Sequence, residues 1–367
     1  MRYKRVVAKF GTSLLTAGSD RLDLEAMSRL VGQVVRLRAA GCEVAVVSSG
    51  AQAAGRHVLA HRPAGAPEPS RQALASVGQS HLMQSWDELF EWHDAVIAQV
   101  LLTRRDLSDR LGYLNARTTL RDLLDCGVVP IVNENDAVAL DEVLASRIGE
   151  NDSLSAFVAN LIDADLLVIL TDVDGLYTSD PTLDPTAELI REVTEIDERL
   201  EAGAGDGPGR GGMATKLSAA RVATQGGAAV IIANGRTPDA LVTAARGEAM
   251  GTRFEPAANR LEGRKRWILG NAGAGGHLVV DGGAVAALRE RGRSLLPAGV
   301  QTVEGVFDRG EAIEVRDLAG KRVAAGITNY ASAEVLRIRG LRSDLITDTL
   351  GYAYGDEVIH RDNLVLL

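Results

Sequence analysis

The sequence predicts an open α/β/α sandwich with a mainly parallel sheet, followed by a small β-rich domain. The longer N-terminal part contains continuous apolar runs of strand length, at residues 44–47, 95–100, 128–132, 166–170 and 228–233. Continuous runs, unlike alternating ones, indicate strands buried on both faces, as parallel strands between two helical layers are. Stretches with helical spacing separate the runs, which is the alternation that such a sandwich requires.

Length and composition are those of a globular protein with two domains. The chain has 367 residues, of which 46% are hydrophobic and 24% charged. The net charge of −9 argues against a nucleic-acid or anionic-membrane footprint but leaves anionic substrates open. We find no signal-peptide core and no apolar run near the roughly 20 residues that span a bilayer. A cytoplasmic protein without a membrane segment is therefore expected.

Cysteine, histidine and tryptophan give no functional signal. The two cysteines, Cys42 and Cys126, form no disulfide framework and are predicted to be buried thiols. None of the six histidines lies in a metal-ligand pattern, so no metal ligand is assigned to the protein. The three tryptophans are predicted to be packing residues rather than stacking platforms.

The first strand, near residues 6–8, runs into the sequence KFGTS at 9–13. A lysine at a strand end, followed by a small turn with hydroxyl groups, can reach a phosphate. The spacing of a P-loop is absent, and the motif taken alone favours a surface lysine beside an ordinary turn. Lys9 is therefore a candidate that this motif alone does not decide.

The run 44–47 follows a predicted helix at 23–40 and ends in SSGA at 48–51. Free backbone amides at the start of a helix bind anions, which makes Ser49 a candidate for contact with a substrate carboxylate or phosphate. Simple helix capping is an equally good interpretation. A serine nucleophile is not predicted, because no GxSxG elbow surrounds Ser49.

Two polar clusters adjoin apolar sequence in the middle of the chain. The run 128–132 ends in NEND at 133–136, and GENDS at 149–153 opens an apolar helical pattern. Ligands of α/β sheets bind just beyond the carboxyl ends of the strands. The clusters are therefore predicted to form one wall of a substrate site.

Two later motifs indicate a nucleotide. Thr171 and Asp172 follow the run 166–170, in a turn that lacks the later ligands of a calcium loop. Residues 203–212 contain six glycines and lead directly into a helix with Lys216 in its first turns. A cation there opposes the helix dipole by up to about 1 kcal/mol, so Lys216 is predicted to serve another purpose. A glycine loop closing over polyphosphate, with Lys216 aimed at the transferring group, explains both features of this segment, whereas a flexible loop and a solvated lysine are the alternative. For the turn after 166–170, the alternative to a nucleotide contact is an ordinary Asp-Gly turn.

The character of the chain changes after about residue 255. A charged link at 259–266 and a glycine-rich stretch at 271–276 indicate a domain boundary. Short strands are predicted beyond it at 277–280, 299–306, 312–316, 323–327 and 357–360, with one helix at 284–291. We therefore predict a first domain at 1–258, a linker at 259–275 and a β-rich domain at 276–367.

Taken together, the motifs resemble those of glutamate 5-kinases, a branch of the amino acid kinase family. The matching segments are VAKFGTSLLT, VSSGA, VNENDAV, GENDSLSA, LTDVDGLY and GRGGMATK, in the order and spacing of that family. The later segments GAVAALRERGRSLLPAGV, GVFDRGEAIEV, NYASAE and YGDEVIHRDNLVLL resemble a C-terminal PUA domain. The pair of NEND and GEND clusters together with the PUA extension is the discriminating feature.

The resemblance implies an amino acid kinase fold and ATP-dependent phosphorylation of the side-chain carboxylate of L-glutamate. The product would be L-glutamyl 5-phosphate, at the first step of proline biosynthesis, with Mg²⁺ accompanying ATP. The implied catalytic residues are Lys9 and Lys216, which neutralise the transferring group, and Asp152, which orients them. The implied glutamate-binding residues are Ser49, Asp136 and Asn151, with Asp136 suited to the α-ammonium group.

The resemblance also implies a set of ATP-binding residues. They are Lys9, Thr171, Asp172, Arg210, Gly211, Gly212, Met213, Ala214, Thr215 and Lys216. Arg210 departs from the family, in which a threonine is common at this place. This departure puts the nucleotide contact at Arg210 in question and leaves Lys216 intact.

Two alternative functions remain open. One is an amino acid kinase with another acceptor, namely aspartate, acetylglutamate, carbamate or UMP. The other is an RNA-binding PUA protein, although residues 276–367 carry eleven Lys and Arg against thirteen Asp and Glu, a net charge of −2. This charge disfavours nucleic acid, so the PUA domain is predicted to be a regulatory or assembly module. A homo-oligomer is expected, and the resemblance implies feedback inhibition by proline.

Overall fold

The chain folds into two compact units, Met1–Arg260 and Leu261–Leu367. The computed structural model describes residues 1–61, 63, 67–108, 110–139, 150–196, 200, 212–256, 272 and 276–367. The predicted domain limits at 258 and 276 and the linker between them stay predictions, because 257–271 and 273–275 lie outside the described residues.

A mostly parallel sheet lies at the centre of the first unit. Within the described residues its eight strands are β1 Arg5–Phe10, β2 Glu43–Ser48, β3 Ile97–Leu102, β4 Val129–Glu134, β5 Leu166–Thr171, β6 Glu192–Val193, β7 Ala229–Asn234 and β8 Thr252–Phe254. Their order is β3-β4-β2-β1-β5-β7-β8-β6, and only the pair β7–β8 is antiparallel. The prediction of a mainly parallel sheet is confirmed, with β1 between β2 and β5.

Helices cover both faces of this sheet. They are α1 Thr12–Leu15, α2 Leu24–Ala39, α3 Ala51–Val58, α4 Arg71–Glu91, α5 Arg104–Ser108, α6 Arg110–Asp125, α7 Glu150–Leu161, α8 Met213–Gln225 and α9 Ala240–Arg246. One apolar core joins the sheet to α2, α4 and α9, and a second joins its other face to α6, α7 and α8. The predicted α/β/α sandwich is therefore confirmed.

The alternation of side chains along β1 decides which helices meet Lys9. Val6, Ala8 and Phe10 belong to the core on the α2 and α4 face, whereas Val7 belongs to the core on the α7 and α8 face. Successive side chains of a strand point to opposite faces of the sheet. Lys9 therefore lies on the face of Val7, beneath α7 and α8.

Three expectations for the first unit are wrong. Strand β3 lies at an edge of the sheet, and most of its side chains are only partly buried, because solvent reaches the rim of both helical layers. Cys126 is exposed in the turn after α6, although Cys42 is buried as predicted. Trp92 is 76% exposed just beyond the end of α4, whereas Trp86 is fully buried and Trp267 lies outside the described residues.

The second unit is built on a five-stranded sheet with a core of its own. Its elements are β9 Gly276–Val280, α10 Gly282–Arg291, β10 Val300–Gly305, β11 Ala312–Arg316, β12 Arg322–Ile327, α11 Ser332–Ile338, α12 Ile346–Leu350 and β13 Leu364–Leu366. The strand order is β10-β9-β11-β12-β13, which confirms a small β-rich domain.

One predicted strand of the second unit is wrong, and two of its helices were not predicted. At 357–360 the chain makes an isolated bridge between Ile359 and Leu295, and β13 completes the sheet instead. Val358 and Ile359 are apolar because they are buried in the core, which the sequence pattern does not distinguish from strand pairing. Across both units, no described helix has the length and apolar character needed to cross a membrane.

Candidate active site

The carboxyl ends of four neighbouring strands form one rim of the first sheet. Phe10 of β1 pairs with Ser48 of β2 and with Leu170 of β5, while β2 and β4 pair through Val47 and Val132. The polar residues that follow these strands are therefore neighbours in space, although they are far apart in sequence. The candidate site lies along this rim.

The centre of the site is Asp152, which lies between two buried lysines. Lys9 Nζ is 2.5 Å from Asp152 Oδ1, and Lys216 Nζ is 3.5 Å from Asp152 Oδ2. The hydroxyl of Thr215 donates a hydrogen bond to Asp152 Oδ2 at 2.7 Å. Asp152 is 1% exposed and each lysine 5%, so all three charges are removed from water. Three separate segments of the chain thus meet at one carboxylate.

The helices explain why these charges are tolerated in a buried place. Asp152 occupies the first turn of α7, where the helix dipole favours a negative charge. Lys216 occupies the first turn of α8, where the dipole disfavours a cation, and Gly212 caps this helix without a side chain. The contact with Asp152 offsets the unfavourable position of Lys216. The predicted contact of Lys216 with a transferring phosphoryl group stays a prediction.

The charges in the cluster shift each other's protonation. Burial by itself would raise the pKa of Asp152, but Lys9, Lys216 and the hydrogen bond from Thr215 outweigh burial and hold this pKa below its usual value. Burial lowers the pKa of Lys216, and Lys9 adds to this effect while Asp152 opposes it. With both lysines protonated, the cluster has one positive charge in excess. It is therefore suited to an incoming anion.

A second, uncharged cluster surrounds the turn after β2. Asn151 Nδ2 donates to Ser49 Oγ at 3.0 Å and to the Ser48 carbonyl at 3.4 Å. Ser48 Oγ accepts from the indole of Trp86 at 3.0 Å and donates to the Ser49 carbonyl at 2.9 Å. Gly50 then takes a left-handed conformation, with φ of 102°, and α3 begins. Asn151 Oδ1 is buried and has no hydrogen-bond partner in the described part of the chain.

The same uncharged cluster continues to the end of β4. Asn133 is 2% exposed, and its Nδ2 donates to Gln79 Oε1 of α4 at 2.8 Å. Asn133 Oδ1 accepts from the backbone amide of Glu134 at 2.9 Å. Asp136 follows in the turn after β4, where it is half-buried. The rim therefore carries a row of amides and hydroxyls beside the charged cluster.

The predicted nucleotide residues lie at the other side of the charged cluster, at the ends of β5 and β7. Thr171 is buried and its hydroxyl donates to Asp172 Oδ1 at 3.1 Å, while Asp172 is exposed. Asn234, at the end of β7, donates to Asp174 Oδ1 at 2.9 Å. Gly212, Met213 and Ala214 are partly buried at the start of α8, and Arg210 and Gly211 lie outside the described residues.

Comparison with known proteins gives this arrangement a family. The model of the amino acid kinase family matches residues 4–234, and the model of the PUA domain matches residues 276–350. Glutamate 5-kinase of Dehalococcoides mccartyi is 52% identical over 100% of this chain and 99% of its own. The chain belongs to the glutamate 5-kinases of the amino acid kinase family. Glutamate 5-kinase of Herpetosiphon aurantiacus is 50% identical over 99% of this chain and 98% of its own.

Among solved structures, the UMP kinase of Bacillus anthracis covers 70% of this chain and 98% of its own, at 18% identity and a TM-score of 0.48. This likeness is too low to bear on the acceptor. The predicted family and the C-terminal PUA domain are confirmed by the family models and the full-length relatives.

The structure brings residues of the predicted site together in two groups. Lys9, Asp152, Thr215 and Lys216 form the charged cluster, and Ser49 and Asn151 belong to the uncharged one. The roles of Asp136, Thr171 and Asp172 in binding stay predictions, because their position on the rim is the only observation that bears on them. The same holds for Arg210 and Gly211, which are not described.

Sequence reasoning did not assign Asn133, Gln79 or Trp86 to the site. Asn133 lies within the NEND cluster, whose position after a buried strand could have indicated it. Trp86 was predicted to pack, and it does, but its indole also donates to Ser48. The sequence does not indicate a role for Gln79, because a glutamine in a predicted helix is usually a surface residue. Only the fold places Gln79 against Asn133.

Proposed function

We propose that the chain transfers the γ-phosphoryl group of ATP to the side-chain carboxylate of L-glutamate. The product is L-glutamyl 5-phosphate, and the reaction is the first step of proline biosynthesis. Identity of about half of all residues with glutamate 5-kinases over the full length supports this acceptor. The observation that carries the chemistry is the buried cluster of Lys9, Asp152 and Lys216.

The charged cluster fits the electrostatic demand of the reaction. A carboxylate oxygen of glutamate forms a bond to the γ-phosphorus of ATP while the bond from that phosphorus to the bridging oxygen breaks, and ADP leaves. Both reactants are anions, so positioning and neutralisation of charge lower the barrier most. We assign this neutralisation to the ammonium groups of Lys9 and Lys216, which Asp152 holds at one point.

Asp152 itself is an orienting residue rather than a base in this proposal. Its lowered pKa makes it a poor proton acceptor at neutral pH. The nucleophile needs no base, because a side-chain carboxylate with a pKa of about 4.3 is already ionised. The two lysines use both carboxylate oxygens of Asp152, which fixes their separation.

The uncharged cluster fits the amino acid part of the acceptor. We assign the α-ammonium group of glutamate to Asp136 and to Asn151 Oδ1, a buried acceptor without a partner among the described residues. Ser49, which accepts a hydrogen bond from Asn151, is assigned to the same substrate. Neutral amides suit this purpose because they orient a zwitterion without competing for the phosphoryl group.

ATP is assigned to the rim beyond the charged cluster, against Thr171, Asp172 and residues 212–216, and the contacts of Arg210 and Gly211, which lie outside the described residues, stay predictions. Among the described residues, no group of three or more histidine, cysteine, aspartate or glutamate side chains is placed to hold a metal ion. We propose that Mg²⁺ enters with ATP, whose phosphate oxygens would be its ligands. When bound, it adds positive charge to that of the two lysines.

Other expectations for this chain stay predictions. They are a cytoplasmic location, a homo-oligomer, feedback inhibition by proline, and a regulatory or assembly role for the PUA domain. The net charge of −2 over residues 276–367 continues to disfavour RNA as its ligand. An RNA shift assay on the full chain at several salt concentrations tests that alternative.

A direct assay tests the proposed reaction. ADP release is measured with ATP, Mg²⁺ and each acceptor in turn, namely glutamate, aspartate, acetylglutamate, carbamate and UMP. Hydroxylamine is added in parallel, because an acyl phosphate reacts with it to give a hydroxamate, whereas the phosphoanhydride formed from UMP does not. We expect turnover and hydroxamate with glutamate alone. Turnover with another acceptor and none with glutamate would contradict the proposal.

A further inference from the structure

We propose that Gln79 determines acceptor specificity by donating a hydrogen bond from its side-chain amide to the α-carboxylate of the amino acid substrate. The inference rests on the proposed function, because it concerns the acceptor of that reaction. It adds a residue from α4, a helix that carries none of the residues assigned so far to the substrate.

Close packing of two helices brings Gln79 to the rim. A Cβ atom at Gly78 would lie 1.8 Å from the Ala51 carbonyl oxygen, so the backbone of α4 lies directly against the first turn of α3. The pairing of Val47 with Val132 sets Ser48 of β2 alongside Asn133 of β4. Gln79, which follows Gly78, therefore lies between the turn after β2 and the end of β4.

The orientation of the Gln79 amide follows from its neighbours. Asn133 Oδ1 accepts from the backbone amide of Glu134, which directs Asn133 Nδ2 towards Gln79. Gln79 must meet this donor with its oxygen, so the two hydrogens of its Nε2 point elsewhere. Within the described residues Nε2 has no hydrogen-bond partner, and it is shielded from solvent although Gln79 as a whole is only partly buried.

The unpartnered, buried Nε2 of Gln79 indicates that a ligand binds at this position. Leaving such a group without a partner is unfavourable, and native proteins keep few of them. Asn151 Oδ1, near the same turn, is an acceptor in the same condition. One spare donor and one spare acceptor match the α-carboxylate and the α-ammonium of an amino acid. The lysines contact Asp152 and are assigned to the phosphoryl group, so we assign the α-carboxylate to the unpartnered Nε2 of Gln79.

Replacement of Gln79 by glutamate separates the proposed contact from a purely structural role. In Gln79→Glu, one carboxylate oxygen still accepts from Asn133, while the other presents a negative charge where the donor was. Loss of a hydrogen bond to a charged group is worth about 1.5–3 kcal/mol, or roughly 10–100-fold. We expect the KM for glutamate to rise at least about tenfold, with kcat and the KM for ATP nearly unchanged.

A substrate analogue gives a second and independent readout. L-Glutamate α-amide carries a carboxamide in place of the α-carboxylate and keeps the reacting side chain. Wild-type protein is expected to prefer glutamate, whereas Gln79→Glu is expected to shift the ratio of kcat/KM values towards the α-amide by about tenfold or more. Gln79→Met keeps the length of the side chain without its donor, and we expect it to lower the preference for glutamate.

The outcomes of this experiment are distinct. A wild-type KM for glutamate in Gln79→Glu, or an equal loss with both acceptors in both variants, would overturn the assignment and leave Gln79 as a support for Asn133. Wild-type protein that does not phosphorylate glutamate would refute the proposed function itself, which is a separate result. If Gln79→Glu does not fold, the acceptor ratio of Gln79→Met still decides the question.

Discussion

The charged and the uncharged clusters of this site differ in whether their polar groups are already paired. In the charged cluster, Lys9 and Lys216 already meet Asp152, and each of these side chains is almost completely buried. In the uncharged cluster, Asn151 and Gln79 each keep one buried polar atom without a partner among the described residues. The charged cluster is internally paired, whereas we propose that bound substrate supplies the partners that the uncharged cluster lacks.

This difference indicates how the two parts contribute to catalysis. A cluster whose charges are fixed beforehand need not reorganise when charge develops on the transferring group, so it lowers the barrier. Spare hydrogen-bonding groups become satisfied when the substrate binds, so they contribute to affinity and selectivity. Substitutions in the charged cluster should therefore act on kcat, and those in the uncharged cluster on the KM for glutamate.

The largest expected effect is that of Lys216→Ala. Removing a preorganised positive group from a transferring phosphoryl should lower kcat about 10²–10³-fold, by analogy with the loss of one oxyanion donor. The KM for glutamate should change little, because Lys216 is not assigned to that substrate. Steady-state kinetics with each substrate varied in turn provide the measurement. A change mainly in the KM for glutamate would move Lys216 into the acceptor site and break the division between the clusters.

A smaller and opposite pattern is expected for Asp136→Ala. Loss of a charged partner of the α-ammonium costs about 1.5–3 kcal/mol, so the KM for glutamate should rise roughly 10–100-fold while kcat is largely kept. Asp136→Asn, which keeps the shape without the charge, should lie between wild type and Asp136→Ala. An unchanged KM for glutamate in both variants would refute the assignment of the α-ammonium to Asp136.

The pH dependence of turnover should report the protonation of Lys216 in the charged cluster. Burial lowers the pKa of Lys216, so on raising the pH its proton is lost earlier than from an ordinary lysine, whose pKa is about 10.5. Bound ATP adds negative charge and raises this pKa again. The alkaline limb of kcat/KM for ATP should therefore lie at lower pH than the limb of kcat. Coincident limbs would show that ATP does not approach Lys216.

The contrast between the clusters also explains what the sequence could predict. Most strands could be predicted, because buried parallel strands are continuous apolar runs. The charged residues could be predicted because Lys9, Asp152 and Lys216 lie in motifs that resemble a known family. The edge position of β3 and the exposure of Cys126 could not be predicted, because apolar sequence does not show which strand lies at the edge of the sheet or which neighbouring residue reaches solvent. Gln79 and Trp86 act through contacts between α4 and distant strand ends, which only the folded chain creates.

Trp86→Phe should have the smallest effect, and it tests whether α4 supports the uncharged cluster. The exchange removes the indole donor from Ser48, whose carbonyl accepts from Asn151, and a neutral hydrogen bond contributes about 0.5–1.5 kcal/mol. The KM for glutamate should rise about threefold, with kcat kept. Phe90→Leu is the matched control, because Phe90 lies against Trp86 in the same core and its phenyl ring cannot donate a hydrogen bond to Ser48. Both variants should lower the melting temperature, so an equal rise of KM in both would reduce the role of Trp86 to packing.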